Sequence, residues 1–370
     1  MTQHQTLVEK VVTYSPSWTL IPTHYCRNTC GYCVFVERNG AGAQLLSIAQ
    51  AQTEIQRARR AGATELLMMS GEGIETATHI RAQLKREGFA CYTDYLIALA
   101  RHALEQNMLP HINVGNLTFN ELTALRPVVP SMGMMIETID GAVRDKAAHR
   151  RAPDKEPARR LETLRAAGRA RVPFTTGLLV GIGETARARE ETLRRIAEIQ
   201  ITYKHIQEVI VQPFTAHAGT AMRNYAPPSF EELRDTVQLA REILPPEVCV
   251  QIPPNIALRF VELIEAGAGD LGGVSPDGDR INPQERWLAP KIYAEALAAR
   301  GFTLRARLAV HQRWIAPEWL STETMQAVER VTPRLPECKQ PQQQGADEFN
   351  GNAHTSAQRM RQSLPFDVLM

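Results

Sequence analysis

The 370-residue sequence has no run of about 20 apolar residues, the length that a membrane-spanning helix needs. Its first residues, MTQHQTLVEK, lack the apolar core of a secretory signal peptide. An excess of one charge is also missing, because 42 basic residues are balanced by 40 acidic ones. These absences argue against a membrane, secreted or nucleic-acid-binding protein, and they predict a cytoplasmic one.

Cysteines are few and unevenly distributed. Three of the six fall within eight residues, Cys26-Arg-Asn-Thr-Cys30-Gly-Tyr-Cys33, whereas Cys91, Cys249 and Cys338 are far apart. In a reducing compartment such a cluster favours metal ligands or catalytic groups over disulfides.

The C-x3-C-x2-C spacing favours one kind of metal site. Three thiolates from one short loop can hold three irons of a cubane cluster and leave the fourth iron open to a ligand. A structural zinc site usually needs four protein ligands, and no second Cys or His pair follows, although Cys91 or Cys249 could supply a fourth. A bacterial ferredoxin run has different spacing and a fourth cysteine. The spacing therefore favours an open iron–sulfur cluster, with structural zinc as the alternative.

Short apolar runs alternate with longer segments of helical period. We expect strands at eight of these runs: Thr19–Thr23, Glu65–Ser70, Pro110–Gly115, Met132–Thr138, Pro173–Gly181, Gln207–Phe214, Val248–Pro253 and Asp270–Ser275. Segments such as Ile48–Ala61 and Phe230–Leu244 place apolar residues on one helical face. Eight such units predict an α/β fold, a (β/α)8 TIM-type barrel over residues 1–332.

Two charged or polar segments have simpler interpretations. The run Arg144 to Arg160 predicts a solvated loop and helix face. Residues 333–370 are rich in Gln, Asn, Ser and Pro, and we expect a low-complexity, mostly disordered tail there.

Polar residues follow several predicted strands at their C-terminal ends, where the chemistry of such barrels collects. The cysteine cluster follows the first run, and Ser70-Gly71-Glu72, Glu137 and Gly181–Glu184 follow later ones. The sequence therefore predicts one site at one end of the barrel.

A cysteine motif with an aromatic residue before its third cysteine, placed after a first strand, resembles the radical S-adenosylmethionine (SAM) superfamily. Four later segments resemble its deazaflavin-forming branch, the FO synthases, in the subunit that closes the deazaflavin ring. They are PFTTGLLVGIGET at 173–185, HIQEVIVQPF at 205–214, QIPPN at 251–255 and GGVSP at 272–276. The resemblance extends from about Tyr14 to Trp319.

This resemblance implies a [4Fe–4S] cluster on Cys26, Cys30 and Cys33 and a SAM site around it. The implied SAM contacts are Tyr32 near the adenine, Gly71-Glu72 at the methionyl ammonium, Glu137 at the ribose hydroxyls, Arg160 at the methionyl carboxylate, and Gly183-Glu184 beside the adenine. The implied substrate contacts are His111, Asn113, Thr176, Gln212 and Asn255. Each of these five could instead satisfy buried backbone groups at a strand end.

The implied activity is that of a lyase. A 5′-deoxyadenosyl radical would abstract hydrogen from an adduct, 5-amino-5-(4-hydroxybenzyl)-6-(D-ribitylimino)-5,6-dihydrouracil, and ring closure would release ammonia. The implied partners are a companion subunit that makes this adduct and a reductant such as ferredoxin or flavodoxin, with neither nucleic acid nor membrane. The alternatives are another barrel-type member, biotin-synthase-like or hydrogenase-maturase-like, and a non-enzymatic metal-binding scaffold.

Overall fold

A computed structural model describes residues 9–337 and confirms the barrel. Nine strands, β1 to β9, form one parallel sheet: Lys10–Leu20, Glu65–Met69, Leu109–Asn113, Ser131–Gly133, Phe174–Val180, Ile206–Pro213, Cys249–Gln251, Asp270–Val274 and Phe302–Ala306. The order β2-β3-β4-β5-β6-β7-β8-β1 closes on itself because β1 also pairs with β2. The barrel therefore has eight strands in its wall.

Ten α-helices, α1 to α10, accompany the strands in the described part of the chain. Their bounds are Ile48–Arg60, Thr78–Arg86, Tyr92–Glu105, Phe119–Leu125, Pro157–Arg169, Ala186–Tyr203, Phe230–Ile243, Phe260–Glu265, Pro290–Ala298 and Thr322–Val331. Each long helix buries one face; α3, for example, buries Leu96, Leu99 and Ala103. Within residues 9–337 no helix has both the length and the apolar composition needed to cross a bilayer.

The first strand differs from its predicted position, because it begins at Lys10 and ends at Leu20. Its polar residues face into the barrel, where Thr13 donates to Asp270, and Ser17 donates to Glu65 over 3.2 Å. Because polar residues interrupt this strand, the search for continuous apolar runs identified only its C-terminal end.

The ninth strand, β9, was not predicted. It pairs with the first half of β1, from Lys10 to Tyr14, whereas the second half of β1 pairs with β2. The chain then crosses beneath the barrel, where Arg307 N donates to Tyr14 O over 2.7 Å and Ala309 O accepts a hydrogen bond from Ser131 Oγ over 3.0 Å. The segment 307–311 therefore covers the N-terminal end of the barrel.

The predicted tail at residues 333–370 lies outside the described residues except for its first five. Thr332–Arg334 forms a short 3-10 turn after α10. The boundary at residue 332 stays a prediction.

Candidate active site in the barrel

The three clustered cysteines lie on the loop between β1 and α1 and line one cavity of about 350 Å³ at the C-terminal end of the strands. This loop is held against the segment that follows β4. Arg27 Nε donates to Asp154 Oδ2 over 2.7 Å, and Gly31 N donates to Ala148 O over 2.8 Å. The loop therefore presents its thiols to the barrel interior.

Gly71 permits close packing behind the cysteine loop. A side-chain carbon at this position would lie 2.3 Å from Cys26 Cβ, a distance that no substitution tolerates without movement. The next residue, Glu72, donates from its backbone N to Cys26 Sγ over 3.2 Å. The segment that follows β2 is thus in direct contact with the cysteine loop.

The thiols lie in a poorly solvated place. Burial raises the pKa of Cys26 and Cys33, and it raises the pKa of Cys30 to about 12. The positive charge of Lys155 opposes this effect at all three thiols. Binding of metal to these residues therefore requires proton release.

Four charged side chains form a buried network beside the thiols. Arg160 Nη2 donates to Glu72 Oε1 over 2.5 Å, and Lys155 Nζ donates to Glu137 Oε1 over 2.5 Å. Lys155 Nζ also lies 3.6 Å from Glu72 Oε1, so the lysine bridges both carboxylates. Burial opposes charge on Glu137, but Lys155 and His149 outweigh it and hold its pKa well below its ordinary value.

Glu137 has an unusual backbone conformation, with φ at +64°. Its N donates to Gly177 O over 2.8 Å, and Leu179 N donates to its carbonyl over 3.1 Å, so neighbouring β5 fixes this turn. Its Oε2 accepts a hydrogen bond from Tyr32 Oη over 2.8 Å. A non-glycine residue held in the left-handed region is typical of functional sites.

Gly183 and Glu184 do not contribute to the cavity lining among the described residues. Glu184 is committed to its own loop: its two carboxylate oxygens accept hydrogen bonds from Gly181 N and Ile182 N, each over 2.9 Å, and Oε1 also accepts one from Arg189 over 2.8 Å. The structure places this carboxylate in a role of loop organisation, and any contact of this segment with a ligand would come through its backbone.

Four of the five predicted substrate residues line the cavity: His111, Asn113, Gln212 and Asn255. Thr176 does not. It donates from Oγ1 to Met134 O over 2.9 Å, whereas Thr175, one position earlier on β5, faces the cavity. Successive side chains of a strand point to opposite faces, and the sequence alone did not fix which face of β5 is inside.

The prediction that residues 144–160 form a solvated face is wrong for several of them. His149, Asp154 and Arg160 are buried, and Lys155 has a side chain that is 12% exposed. Their charges are paired inside the protein, so composition alone could not separate them from solvent-exposed neighbours such as Arg159.

A second charged group forms part of the cavity floor. Arg307 donates from Nε to Asp270 over 2.6 Å and from Nη2 to Glu208 over 2.8 Å. Burial opposes charge on this guanidinium, but the two carboxylates outweigh it and raise the pKa of Arg307. His311 Nε2 lies 3.7 Å from Glu208. No sequence motif marked these residues, because they come from three distant segments.

The residues fit the two cofactors that the sequence predicts. Three thiols face one cavity, and Cys26 receives a backbone N–H, as thiolate ligands of iron–sulfur clusters commonly do. Nε and Nη1 of buried Arg160 have no hydrogen-bond partner among the described residues, which suits a ligand carboxylate.

Comparisons with known proteins agree with this geometry. A family model described as the Radical SAM superfamily matches residues 20–196. The chain is 41% identical over 325 residues to the 7,8-didemethyl-8-hydroxy-5-deazariboflavin synthase of Methanococcoides burtonii, which covers 87% of this chain and 96% of the relative. It is 39% identical to the synthase of the same name from Methanosarcina mazei, covering 91% of this chain and 99% of that one.

A solved structure shares the fold at low identity. The FeFe-hydrogenase maturase HydG from Carboxydothermus hydrogenoformans superposes with a TM-score of 0.64 at 19% identity, covering 87% of this chain and 74% of that one. Because identity to the synthases is high over nearly their whole length, the chain belongs to the 7,8-didemethyl-8-hydroxy-5-deazariboflavin synthases, a family of radical SAM enzymes with a [4Fe–4S] cluster.

Proposed function

We propose that this chain forms 7,8-didemethyl-8-hydroxy-5-deazariboflavin by closing the ring of the hydroxybenzyl-ribitylimino-dihydrouracil adduct with release of ammonia. The observation that carries the proposal is 41% identity over 96% of a synthase of that name. The polar cavity beside the three cysteines supports it, because a uracil-like ring and a ribityl chain need many hydrogen-bond partners.

Cys26, Cys30 and Cys33 are the proposed ligands of the cluster. When bound, the cluster and SAM supply the 5′-deoxyadenosyl radical that removes hydrogen from the substrate. Arg160 has partnerless donors at Nε and Nη1 for the methionyl carboxylate, and the backbone of Gly71 and Glu72 is proposed to hydrogen-bond the ammonium.

Tyr32 and Glu137 are proposed to act together on the nucleoside end of SAM. Their mutual hydrogen bond fixes the carboxylate, and a carboxylate can accept two hydrogen bonds from a ribose diol. Lys155 keeps that carboxylate ionised in a buried place, which maintains its acceptor capacity. Gly183 and Glu184 are proposed to contribute only their loop backbone near the adenine.

The substrate is proposed to bind deeper in the barrel, against His111, Asn113, Gln212 and Asn255. Asn255 Nδ2 donates to Asp279 over 2.8 Å, which leaves its buried Oδ1 as a free acceptor. Apolar wall residues such as Met69 and Leu179 and the covered barrel floor exclude water from a radical reaction.

Small-molecule turnover of this kind needs a reductant, for which we propose ferredoxin or flavodoxin. A separate companion subunit is proposed to supply the adduct, because the sequence contains one C-x3-C-x2-C motif. The proposed compartment is the cytoplasm, where the thiols stay reduced.

Two other functions are less well supported. The biotin-synthase-like and hydrogenase-maturase-like alternatives have no comparable identity in their favour, since the maturase shares the fold at 19%. A zinc scaffold would leave the partnerless donors of Arg160 and the charged cavity unexplained.

The test is anaerobic reconstitution with iron, sulfide, dithionite, SAM and the synthetic adduct, followed by detection of 5′-deoxyadenosine and deazaflavin. We expect both products, and about four irons per chain. Formation of 5′-deoxyadenosine without deazaflavin would overturn the substrate assignment. One zinc per chain and no 5′-deoxyadenosine would favour the scaffold.

A further inference from the structure

His111 lies in the middle of β3 and faces the cavity. Its Nδ1 is 2.8 Å from Ser131 Oγ on neighbouring β4, and the two residues are paired in register. The hydroxyl of Ser131 has a second partner, Ala309 O, at 3.0 Å. Two hydrogen bonds therefore connect the cavity, through Ser131, to the segment beneath the barrel.

The direction of these two hydrogen bonds fixes the tautomer of His111. A hydroxyl has one proton, and that of Ser131 is donated to the carbonyl of Ala309, which can only accept. The lone pairs of Ser131 Oγ therefore face Nδ1, so Nδ1 carries the imidazole proton. Nε2 is left as an unprotonated acceptor.

The acceptor nitrogen lies beside Gly133 on β4. A side-chain carbon on Gly133 would lie 2.9 Å from His111 Nε2, so glycine at this position keeps the nitrogen accessible. Within residues 9–337 no hydrogen bond reaches Nε2.

The carbonyl that accepts the hydrogen bond from Ser131 is itself held in place. Ala309 O accepts a second hydrogen bond from Gln207 Nε2 over 3.1 Å, and Gln207 Oε1 accepts one from His311 N over 3.1 Å. The carbonyl that orients Ser131 therefore has a fixed position.

Two carboxylates of the cavity, Glu137 and Glu208, are less suited to accept a proton. Glu137 is paired with Lys155 and accepts from Tyr32, and Glu208 is paired with Arg307. Such pairing stabilises the carboxylates in their charged form and makes them weak bases. His111 is neutral, since burial lowers its pKa below the ordinary value.

We propose that His111 Nε2 accepts a proton from the substrate during ring closure and that Ser131 is the positioning residue that holds it in the required tautomer. The assignment rests on the proposed function. An N–H or C–H bond breaks on an atom next to the carbon that bears the departing amine, and the proton moves to Nε2. The released electron pair forms a double bond to that carbon as the C–N bond breaks with its own pair on nitrogen. The imidazolium gives its proton to this nitrogen, so that ammonia leaves and His111 is neutral again.

The test compares reconstituted wild type with His111→Gln, Ser131→Ala and Ser131→Thr, and with His102→Gln on α3 as a surface control. Both 5′-deoxyadenosine and deazaflavin are quantified. We expect His111→Gln to lower the ratio of deazaflavin to 5′-deoxyadenosine by about a hundredfold or more, the usual contribution of a general base. Ser131→Ala should lose deazaflavin about fivefold, the effect of one hydrogen bond, and Ser131→Thr should restore it.

A pH profile and an NMR spectrum separate a positioning role from a structural one. Deazaflavin formation by wild type should fall on the acid side as His111 gains a proton, below pH 6.5, in an environment that also contains Glu65, Glu208, Arg307 and His311. Nitrogen-15 spectra of histidine-labelled holoenzyme should show the Nδ1–H tautomer for His111 and a tautomer mixture in Ser131→Ala.

The results distinguish a wrong assignment of His111 from a wrong proposed function. Deazaflavin formation by His111→Gln within threefold of wild type overturns the assignment of His111, and so does a wild-type spectrum with the Nε2–H tautomer. If His111→Gln does not fold, the Ser131 pair and the spectrum decide. Wild type that makes 5′-deoxyadenosine but no deazaflavin overturns the proposed function instead.

Discussion

Arg160 donates to Glu72 Oε1 over 2.5 Å while two of its other nitrogen atoms stay without a partner among the described residues. The side chain is almost fully buried, so these donors have no access to bulk water. Leaving charged donors unsatisfied in a buried place is costly, and such an arrangement is stable when a ligand completes it. We therefore expect an anionic group to bind beside the pair Glu72–Arg160.

Replacing Arg160 by lysine should weaken SAM binding about tenfold to a hundredfold, because an ammonium cannot keep the contact with Glu72 and also reproduce the fixed donor geometry of the guanidinium toward a carboxylate. Equilibrium dialysis of the reconstituted protein with labelled SAM measures this. Arg159→Lys is the matched control, since the side chain of Arg159 is 54% exposed and pairs with Asp154. Equal losses in the two variants would contradict a direct contact by Arg160.

Substituting alanine for Gly71 should disrupt the cysteine loop. The new methyl group would lie 2.3 Å from Cys26 Cβ and 2.4 Å from Tyr25 O, so backbone must move, at a cost of about 1–3 kcal/mol. We expect the variant to retain much less iron and sulfide after reconstitution than wild type. Gly141→Ala is the control, because a methyl group there meets no atom within 4 Å. Full iron content in Gly71→Ala would show that the loop adapts.

Removing Lys155 should destabilise the protein through the two carboxylates that it bridges. Lys155→Met leaves Glu137 and Glu72 with less compensation in a buried place, and breaking a buried pair costs about 3–5 kcal/mol. The double variant Glu137→Gln/Lys155→Met should recover part of that loss, because one uncompensated charge is gone. Urea unfolding under anaerobic conditions measures the free energies, with exposed Lys291→Met as the control. A double variant no more stable than Lys155→Met would argue against coupling of the pair.

The grouping of the three cysteines at one site and the barrel were predictable because their signals are local. The spacing of Cys26, Cys30 and Cys33 is contained in eight residues, and strands such as β2 contain a short apolar run. Lys155, His149 and Arg307 were not predicted, since their importance depends on partners more than ten positions away in sequence. The same limit applied to Thr176, where a one-residue difference in strand orientation decides between Thr175 and Thr176 as the lining residue.

His205 gives the fold a pH dependence that is independent of the active site. Its side chain is fully buried between Phe174 and Tyr203, and burial lowers its pKa from 6.5 to about 3. Between those pH values the unfolded chain binds a proton at this residue and the folded chain does not, so the free energy of unfolding falls as pH falls. From pH 7 to pH 5 this amounts to about 2 kcal/mol, at about 1.4 kcal/mol for each unit below 6.5. Urea unfolding at both pH values should therefore show a loss in wild type that exceeds the loss in His205→Gln by about that amount. Equal losses would mean that His205 takes up its proton as readily in the folded protein as in the unfolded chain.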